Sequence, residues 1–451
     1  STLDRNIEHT YAERSAATLK RSLYDSYVRA FRWATDRIGD QGVVAFVSNG
    51  GWIYSKSADG IRISLAEEFS RIYVFNLRGN QRTAGEVSRK EGGKVFGGGS
   101  RNTVAIWIGV KDPAHTGPCE IRYRDIGDYL TRDNKLRIIA DSDLATIDWT
   151  PIKPNQYGDW VNQRSDTFGS WPVIASKSPE ETPTVFTTYS GGLATSRDAW
   201  CYNFSREVND SAVREMVDIY EAVRAEIQTI RAEQNFLRLS PDDINNLFKE
   251  SALSKADQRL SWGRDFKLNL ARNHQIKYDA DARRIGMYRP FTKQAVHFQS
   301  DLVNMVYRLP AMFPTQHHHN IGFYVVGTGS DKPFSVLMTS ILPDLSFWGS
   351  GSGQFFPMWT YEEVAAADAG FDFSTEKDVD EYGYRRVDNV TDEILNAYRD
   401  TLGPQVSKDD IFFYVYGQLH DPHYRVSYSA DLKKMLPHIP TPTSRERFET
   451  V

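Results

Sequence analysis

The chain has 451 residues, 40 % hydrophobic and 25 % charged, with a net charge of −5. That length exceeds one ordinary domain, so two or three are expected, with enough apolar mass for real cores. No apolar run approaches the ~20 residues that cross a bilayer. Cys119 and Cys201 stand far apart without metal-ligand spacing, which fits a reducing cytoplasm rather than a disulfide scaffold.

The chain opens at Ser1 and enters helix-like sequence almost at once, so it reads as a piece of something larger. Over 19–38, Leu23, Tyr27, Ala30, Phe31 and Ala34 recur at helical spacing, and Gly39 to Gly42 stop the pattern. Residues 43–47, VVAFV, form a continuous apolar run, the mark of a strand buried on both faces of a parallel sheet. A turn, SNGG, follows at 48–51. A second helix over 58–69 and a second strand over 72–77 lead to a glycine-loaded loop at 78–101. A third strand is expected over 103–110. This order gives an α/β layer pattern, in which chemistry gathers in the loops at the strand C-terminal ends.

The loop is the most informative stretch. Between residues 71 and 111, eight basic residues face only Glu86 and Glu91, a local net charge of +6 in an acidic chain. Such a patch points to a polyanion. Arg78, Arg82, Arg89, Lys90, Lys94 and Arg101 are the candidate phosphate contacts. FGGGS at 96–100 is not a nucleotide-binding turn, because it precedes a strand instead of opening a helix. Its lone aromatic, Phe96, has two readings: a core anchor at a loop–strand junction, or a flat platform on which an extruded base stacks. Seven glycines between 78 and 101 supply the flexibility that the second reading needs.

After residue 111 the periodicity weakens, and 116–184 is punctuated by prolines as a connector would be. Helices are expected near 210–232, 241–256, 391–402 and 425–436, with strands near 322–327 and 411–416. Segment 361–400 holds 12 acidic residues against 4 basic ones; it is expected to be a solvated face, since it would repel DNA. Arg197, in TSRDAW, reads equally as a DNA contact or a structural ion.

The block from Leu23 to Lys111 resembles the second half of an N6-adenine DNA methyltransferase of the gamma arrangement. More narrowly, it is similar to the modification and specificity portion of type ISP restriction–modification enzymes. SLYDSYVRAFRWATDRI looks like the helix after the catalytic strand, and GVVAFVSNGGWI like the next strand and its active-site loop. NLRGNQRTAGEVSRKEGGKVFGGGSR resembles the family's loop, and TVAIWIGVK the strand after it. DWVNQR, GGLATSRDAWCYNF, MYRPF, FFPMW and YVYGQLHDPHYRVSYSADLKKMLPHIP look like markers of the type ISP specificity domain.

The resemblance implies an α/β Rossmann-like methyltransferase half-domain over 1–115, a connector over 116–184 and an α+β target recognition domain over 185–451. It implies that Phe96 stacks on a flipped adenine and that Ser48, Asn49 and Trp52 border the same pocket. Double-stranded DNA and upstream domains of the same polypeptide are the implied partners, and S-adenosylmethionine the implied methyl donor. Magnesium and ATP would serve only nuclease and motor domains outside this chain. The family's Asn-Pro-Pro-Tyr motif, whose Asn side chain and first Pro carbonyl accept from the adenine amino group, occurs nowhere in the sequence, and neither does its cofactor-binding glycine turn. The donor site is therefore expected mostly upstream of Ser1, and the piece alone should be inactive. The rival readings are a non-catalytic DNA-binding specificity module, and restriction endonuclease activity carried by other domains.

Overall fold

The apolar runs near residues 43, 72 and 104 become three neighbouring strands. In the computed structural model, which describes all residues except 18–19, 84, 99, 179–182, 235–237, 251, 331, 350–352 and 365–378, the chain divides into two units. The first is Ser1–Ser170 with Tyr428–Met435, and the second is Trp171–Ser427 with Leu436–Val451.

In the first unit, α1 (Thr2–Ile7) and α2 (Ser26–Thr35) precede β1 (Gly42–Asn49), and α3 (Asp59–Glu68) leads to β2 (Arg71–Arg78). There follow α4 (Gly85–Glu91), β3 (Val104–Lys111), β4 (Glu120–Asp125), α5 (Arg132–Ala140) and β5 (Thr150–Ile152). The helix expected over 19–38 is shorter, and its first residue, Leu19, lies outside the described residues. The five strands form one sheet in the order β1-β3-β2-β4-β5. β3 runs antiparallel to both β1 and β2, while β2 and β4 are parallel.

Two expectations are corrected here. The run at 43–47 is not buried on both faces beside a parallel neighbour. Its described partner is antiparallel β3, and Val43 and Val47 are 64 % and 56 % exposed. Nor is 116–184 merely a connector, because β4 and β5 extend the same sheet.

One face of the sheet buries Ile72, Val74 and Trp107 with residues of α2 and α3, among them Phe31, Ile61 and Leu65. Phe31 stacks on Trp107 with ring centroids 5.1 Å apart. A smaller cluster (Phe75, Leu77, Val95 and Ile126, with Ile138, Ile139 and Trp149) forms the second core of the unit. A buried ionic group adds to the packing. Asp159 accepts from Arg164 at 2.8 Å and Lys434 at 3.0 Å, and Arg62 stands 3.5 Å away. Burial alone would raise the Asp159 carboxyl, but Arg164 and Lys434 hold it below its ordinary value.

In the second unit, helix Arg206–Glu233 buries Val213, Met216, Tyr220, Val223 and Ile227 at helical spacing against a large core. Strands Arg283–Met287 and Lys293–His297 form a hairpin in a four-stranded sheet, and Gly322–Val325 is the centre of a three-stranded one. The strand expected at 411–416 is instead part of helix Lys408–Gln418, opened by a capping box from Ser407 and Asp410. A six-residue apolar run does not distinguish a strand from a buried helix face. Of the acidic segment 361–400, residues 365–378 lie outside the described residues.

Candidate nucleic-acid interface

β1 and β2 end where antiparallel β3 begins, so three segments converge at one end of the first sheet. Gly50 N–H donates to the Thr103 carbonyl at 3.0 Å, tying the first segment to the third. Asn49 Oδ1 accepts from Gly51 N–H at 2.9 Å and shapes the turn after β1, while Ser48 donates to the Asn49 carbonyl at 3.2 Å. Both therefore stand at the convergence.

Asn76 is the buried hub of the second segment. Its amide donates to Tyr123 Oη at 3.0 Å, and its carbonyl oxygen Oδ1 accepts from Arg78 N–H at 3.0 Å. The strand bulges between Asn76 and Arg78, and Arg78 takes a left-handed φ of 55°. Bulges of this kind re-aim side chains at sheet ends.

Across its described residues, the glycine loop carries defined structure. It contains α4, which the glycine count concealed. Lys135 is fully buried and donates to the carbonyls of Leu77 at 2.8 Å and Glu91 at 2.7 Å, so one ammonium joins the end of β2 to the end of α4. Burial pulls that ammonium below its ordinary value, opposed chiefly by Glu91. Arg132 Nε donates to the Val95 carbonyl at 3.1 Å, and Gly93 N–H to the Leu130 carbonyl at 2.8 Å. At Gly92, φ is 68° and a Cβ would lie 2.2 Å from the Leu130 carbonyl oxygen. That glycine serves close backbone approach, not mobility.

Phe96 follows this cradle directly. Val95 is the core anchor, 6 % exposed, and Phe96 is 54 % exposed. The core-anchor reading of Phe96 is thereby excluded. Beyond it, Gly97 and Gly98 face open space.

The expected cations divide into two groups. Arg78 is committed, with Nε 2.6 Å from Asp125 and Nη1 bound to Asp128. Burial, which lowers its guanidinium, is outweighed by these two acids, which hold it above its ordinary value. Arg78 is therefore corrected from free phosphate contact to the brace of the loop base. Arg89 pairs with Glu86 at 3.0 Å on the surface, an interaction worth about 0–1 kcal/mol. Arg82, Lys90, Lys94 and Arg101 have no acidic partner among the described residues. Trp52 is also corrected. It is fully buried, edge-on to Phe31 at 5.6 Å and to Trp160 at 5.5 Å, and is core, not pocket wall.

Residues 184–451 match the family model of the type ISP C-terminal specificity domain. The chain belongs to that family. It is 36 % identical, over 97 % of its own length and 37 % of the other chain, to a nuclease-deletion mutant of the type ISP restriction-modification enzyme LlaGI in complex with a DNA substrate mimic, with a TM-score of 0.76. It is 31 % identical to LlaBIII, an ATP-dependent type ISP restriction-modification enzyme bound to DNA, over 98 % of this chain and 27 % of that one, with a TM-score of 0.77. A DrdV–DNA complex is 27 % identical, over 98 % of this chain and 40 % of that one, with a TM-score of 0.76. The chain thus spans well under half the length of each. No curated protein matches it.

Within the type ISP specificity region, Arg197 is a core bolt. Its side chain is buried, 2.7 Å from Asp265 and 3.5 Å over the Phe266 ring, and it donates to the Ser261 carbonyl at 2.9 Å. It is corrected from candidate DNA contact to structural ion. Among the described residues no His, Cys, Asp or Glu group has metal-binding geometry, and no helix is long and apolar enough to cross a membrane.

Sequence reasoning missed Lys135 and Asn76. Thr131 as an N-cap with Asp133 in the first turn signals a helix start, but no pattern turns the ammonium of Lys135 inward.

Proposed function

We propose that this chain is the target-recognition part of a type ISP restriction–modification enzyme and carries one wall of its adenine-methylation site. The first unit is then the distal half of a Rossmann-like N6-adenine methyltransferase domain of the gamma arrangement, and the second unit reads double-stranded DNA. The observation that carries this reading is Phe96, an exposed aromatic on a packed cradle, in a loop with four cations that have no acidic partner among the described residues. Extruding a base costs a few kcal/mol, which stacking on such a face offsets. Phosphate contacts from the same loop fix register without reading sequence.

The open side of β1 supports the placement. Val43, Ala45 and Val47 form an exposed apolar face on a strand at the edge of the described sheet. This chain spans 37 % and 27 % of the type ISP enzymes it matches, and the remaining chain is proposed to cover that face. The residues present do not make a site for S-adenosylmethionine. No glycine turn that follows a strand and opens a helix is present among the described residues, since Gly97 and Gly98 precede a strand, and the Asn-Pro-Pro-Tyr motif that would hold the adenine amino group is also absent. Donor binding is therefore assigned to the rest of the polypeptide, and this chain alone methylates nothing. Magnesium and ATP belong with the nuclease and motor parts of such enzymes.

Two measurements test the reading. Phe96→Ala in the longer enzyme is expected to lower adenine methylation at least about tenfold while leaving the melting temperature unchanged, since the side chain is exposed. Full methylation by that variant would remove Phe96 from the site. Duplex binding by this chain should weaken with salt at a slope of about −0.9 per phosphate contacted. Replacing Arg82, Lys90, Lys94 and Arg101 by Ala should flatten that slope by roughly 3 to 4; an unaltered slope would place the phosphates elsewhere.

A further inference from the structure

The second unit concentrates backbone strain in one patch of loops. Among its described residues, five non-glycine residues have left-handed φ: Ser196, Asn273, Arg289, Phe291 and Tyr307. All but Asn273 fall in loops tied to one another. Ala194 and Met305 exchange backbone hydrogen bonds at 3.0 Å, and Leu193 accepts from Leu345 N–H at 2.9 Å. Gly191 lies against the Tyr307 ring, which is 3.2 Å from where a Cβ would sit. Each strained residue costs of order 1–3 kcal/mol, and such strain collects at ligand-binding sites.

The centre of the patch is the hairpin turn Tyr288-Arg289-Pro290-Phe291-Thr292, closed by Tyr288 N–H donating to the Thr292 carbonyl at 2.8 Å. Two polar latches hold it from below. Arg289 binds the buried carboxylate of Asp344 and donates to the Ser346 carbonyl at 3.3 Å. Tyr288 Oη donates to Asp198 at 3.1 Å. The latches and the strained backbone do not bury Phe291. At 82 % exposure with φ 67°, it is the most exposed of the large hydrophobic side chains described. Met305 and Tyr307, 47 % and 44 % exposed, add apolar surface from the linked loops. Lys293 and Arg308 beside them are exposed and have no acidic partner among the described residues.

We propose that Phe291 is a wedge which the second unit inserts between two base pairs of duplex DNA, with Lys293 and Arg308 on the adjoining phosphates. Arg289 and Asp344 are its positioning residues. This inference rests on the reading of the second unit as a DNA reader. An aromatic wedge needs a side chain that is presented away from its own core and held by a backbone that does not yield as the base step opens. The doubly left-handed turn, latched through Arg289 to the buried carboxylate of Asp344, supplies both. The neighbouring cations favour a polyanion over a protein face.

The test uses the whole chain and a duplex enriched from a random-sequence pool on the wild-type protein. The duplex is labelled for anisotropy and carries 2-aminopurine at successive steps. Phe291→Ala is expected to weaken binding by about ten- to a hundredfold, with the melting temperature unchanged. Phe291→Trp should retain affinity. Fluorescence of 2-aminopurine should rise at one step with the wild type and not with Phe291→Ala. If the wild type enriches a duplex that Phe291→Ala binds equally well, with no fluorescence change in either, the wedge is overturned and the DNA-reading function stands. Loss of association with another protein segment in Phe291→Ala, with DNA affinity kept, also overturns it. Enrichment of no duplex at all overturns both.

Discussion

Val95 and Phe96 are adjacent and chemically alike, yet one is core and the other is surface. The difference lies in Lys135 and Arg132, which hold the backbone on either side of α4 and stop the apolar register at Val95. Replacing Lys135 by Met is expected to leave the Leu77 and Glu91 carbonyls without their donor and to cost about 1–3 kcal/mol. Urea unfolding measures that loss, and faster amide exchange over 91–95 would locate it. An unchanged stability would mean that water or a neighbour replaces the ammonium. At this scale the sequence was legible where residue type dictates placement, as with the exposed cations of the loop. It was opaque where a partner decides. Trp52 and Arg197 carry chemistry found at binding sites as often as in cores, and only Trp160, Asp265 and Phe266 send them inward.

At the scale of elements, the alternation of helix and strand through residue 111 was readable except for α4, because apolar runs and glycine stops mark the other elements locally. Strand order and direction were not, since β3 inserts between β1 and β2 by tertiary pairing alone. The hairpin at 288–292 illustrates a further hidden quantity. Burial raises the Asp344 carboxyl to about 6, with Arg289 opposing and Asp198 adding to the rise. A carboxyl raised in the folded state binds protons there before it does when unfolded. It therefore adds stability as pH falls below about 6, an increment complete only below its unfolded value near 4. Between pH 7 and 5 the gain is about 1 kcal/mol. Asp344→Asn should lack this increment in thermal or urea unfolding. Equal pH slopes in the two proteins would show that the carboxyl ionises normally.

Across the whole molecule, the division between the units does not follow chain order. Tyr428–Met435 belongs with the first unit, and Lys434 there reaches Asp159. No local pattern announces a pairing between residues so distant in sequence, which is why a boundary drawn near residue 184 missed it. Asp159→Asn leaves Arg62, Arg164 and Lys434 buried without their carboxylate and is expected to cost about 3–5 kcal/mol. The lowered native value of Asp159 adds a pH signature. Its stabilisation is complete above the unfolded value of about 4 and is lost as pH falls through the lower folded value. The variant should therefore show a shallower acid branch in its stability profile. A wild-type profile in Asp159→Asn would mean that the three cations are neutralised by other groups.

That same excursion of the chain bears on any attempt to transplant specificity between relatives. The polypeptide passes from one unit to the other at residue 170, returns at 428 and departs again after 435. An exchange made at the first joint alone would import a foreign version of the segment that seals the recipient's own ionic core. A recognition unit of this kind is grafted at three seams, and the short returning segment must stay with the host.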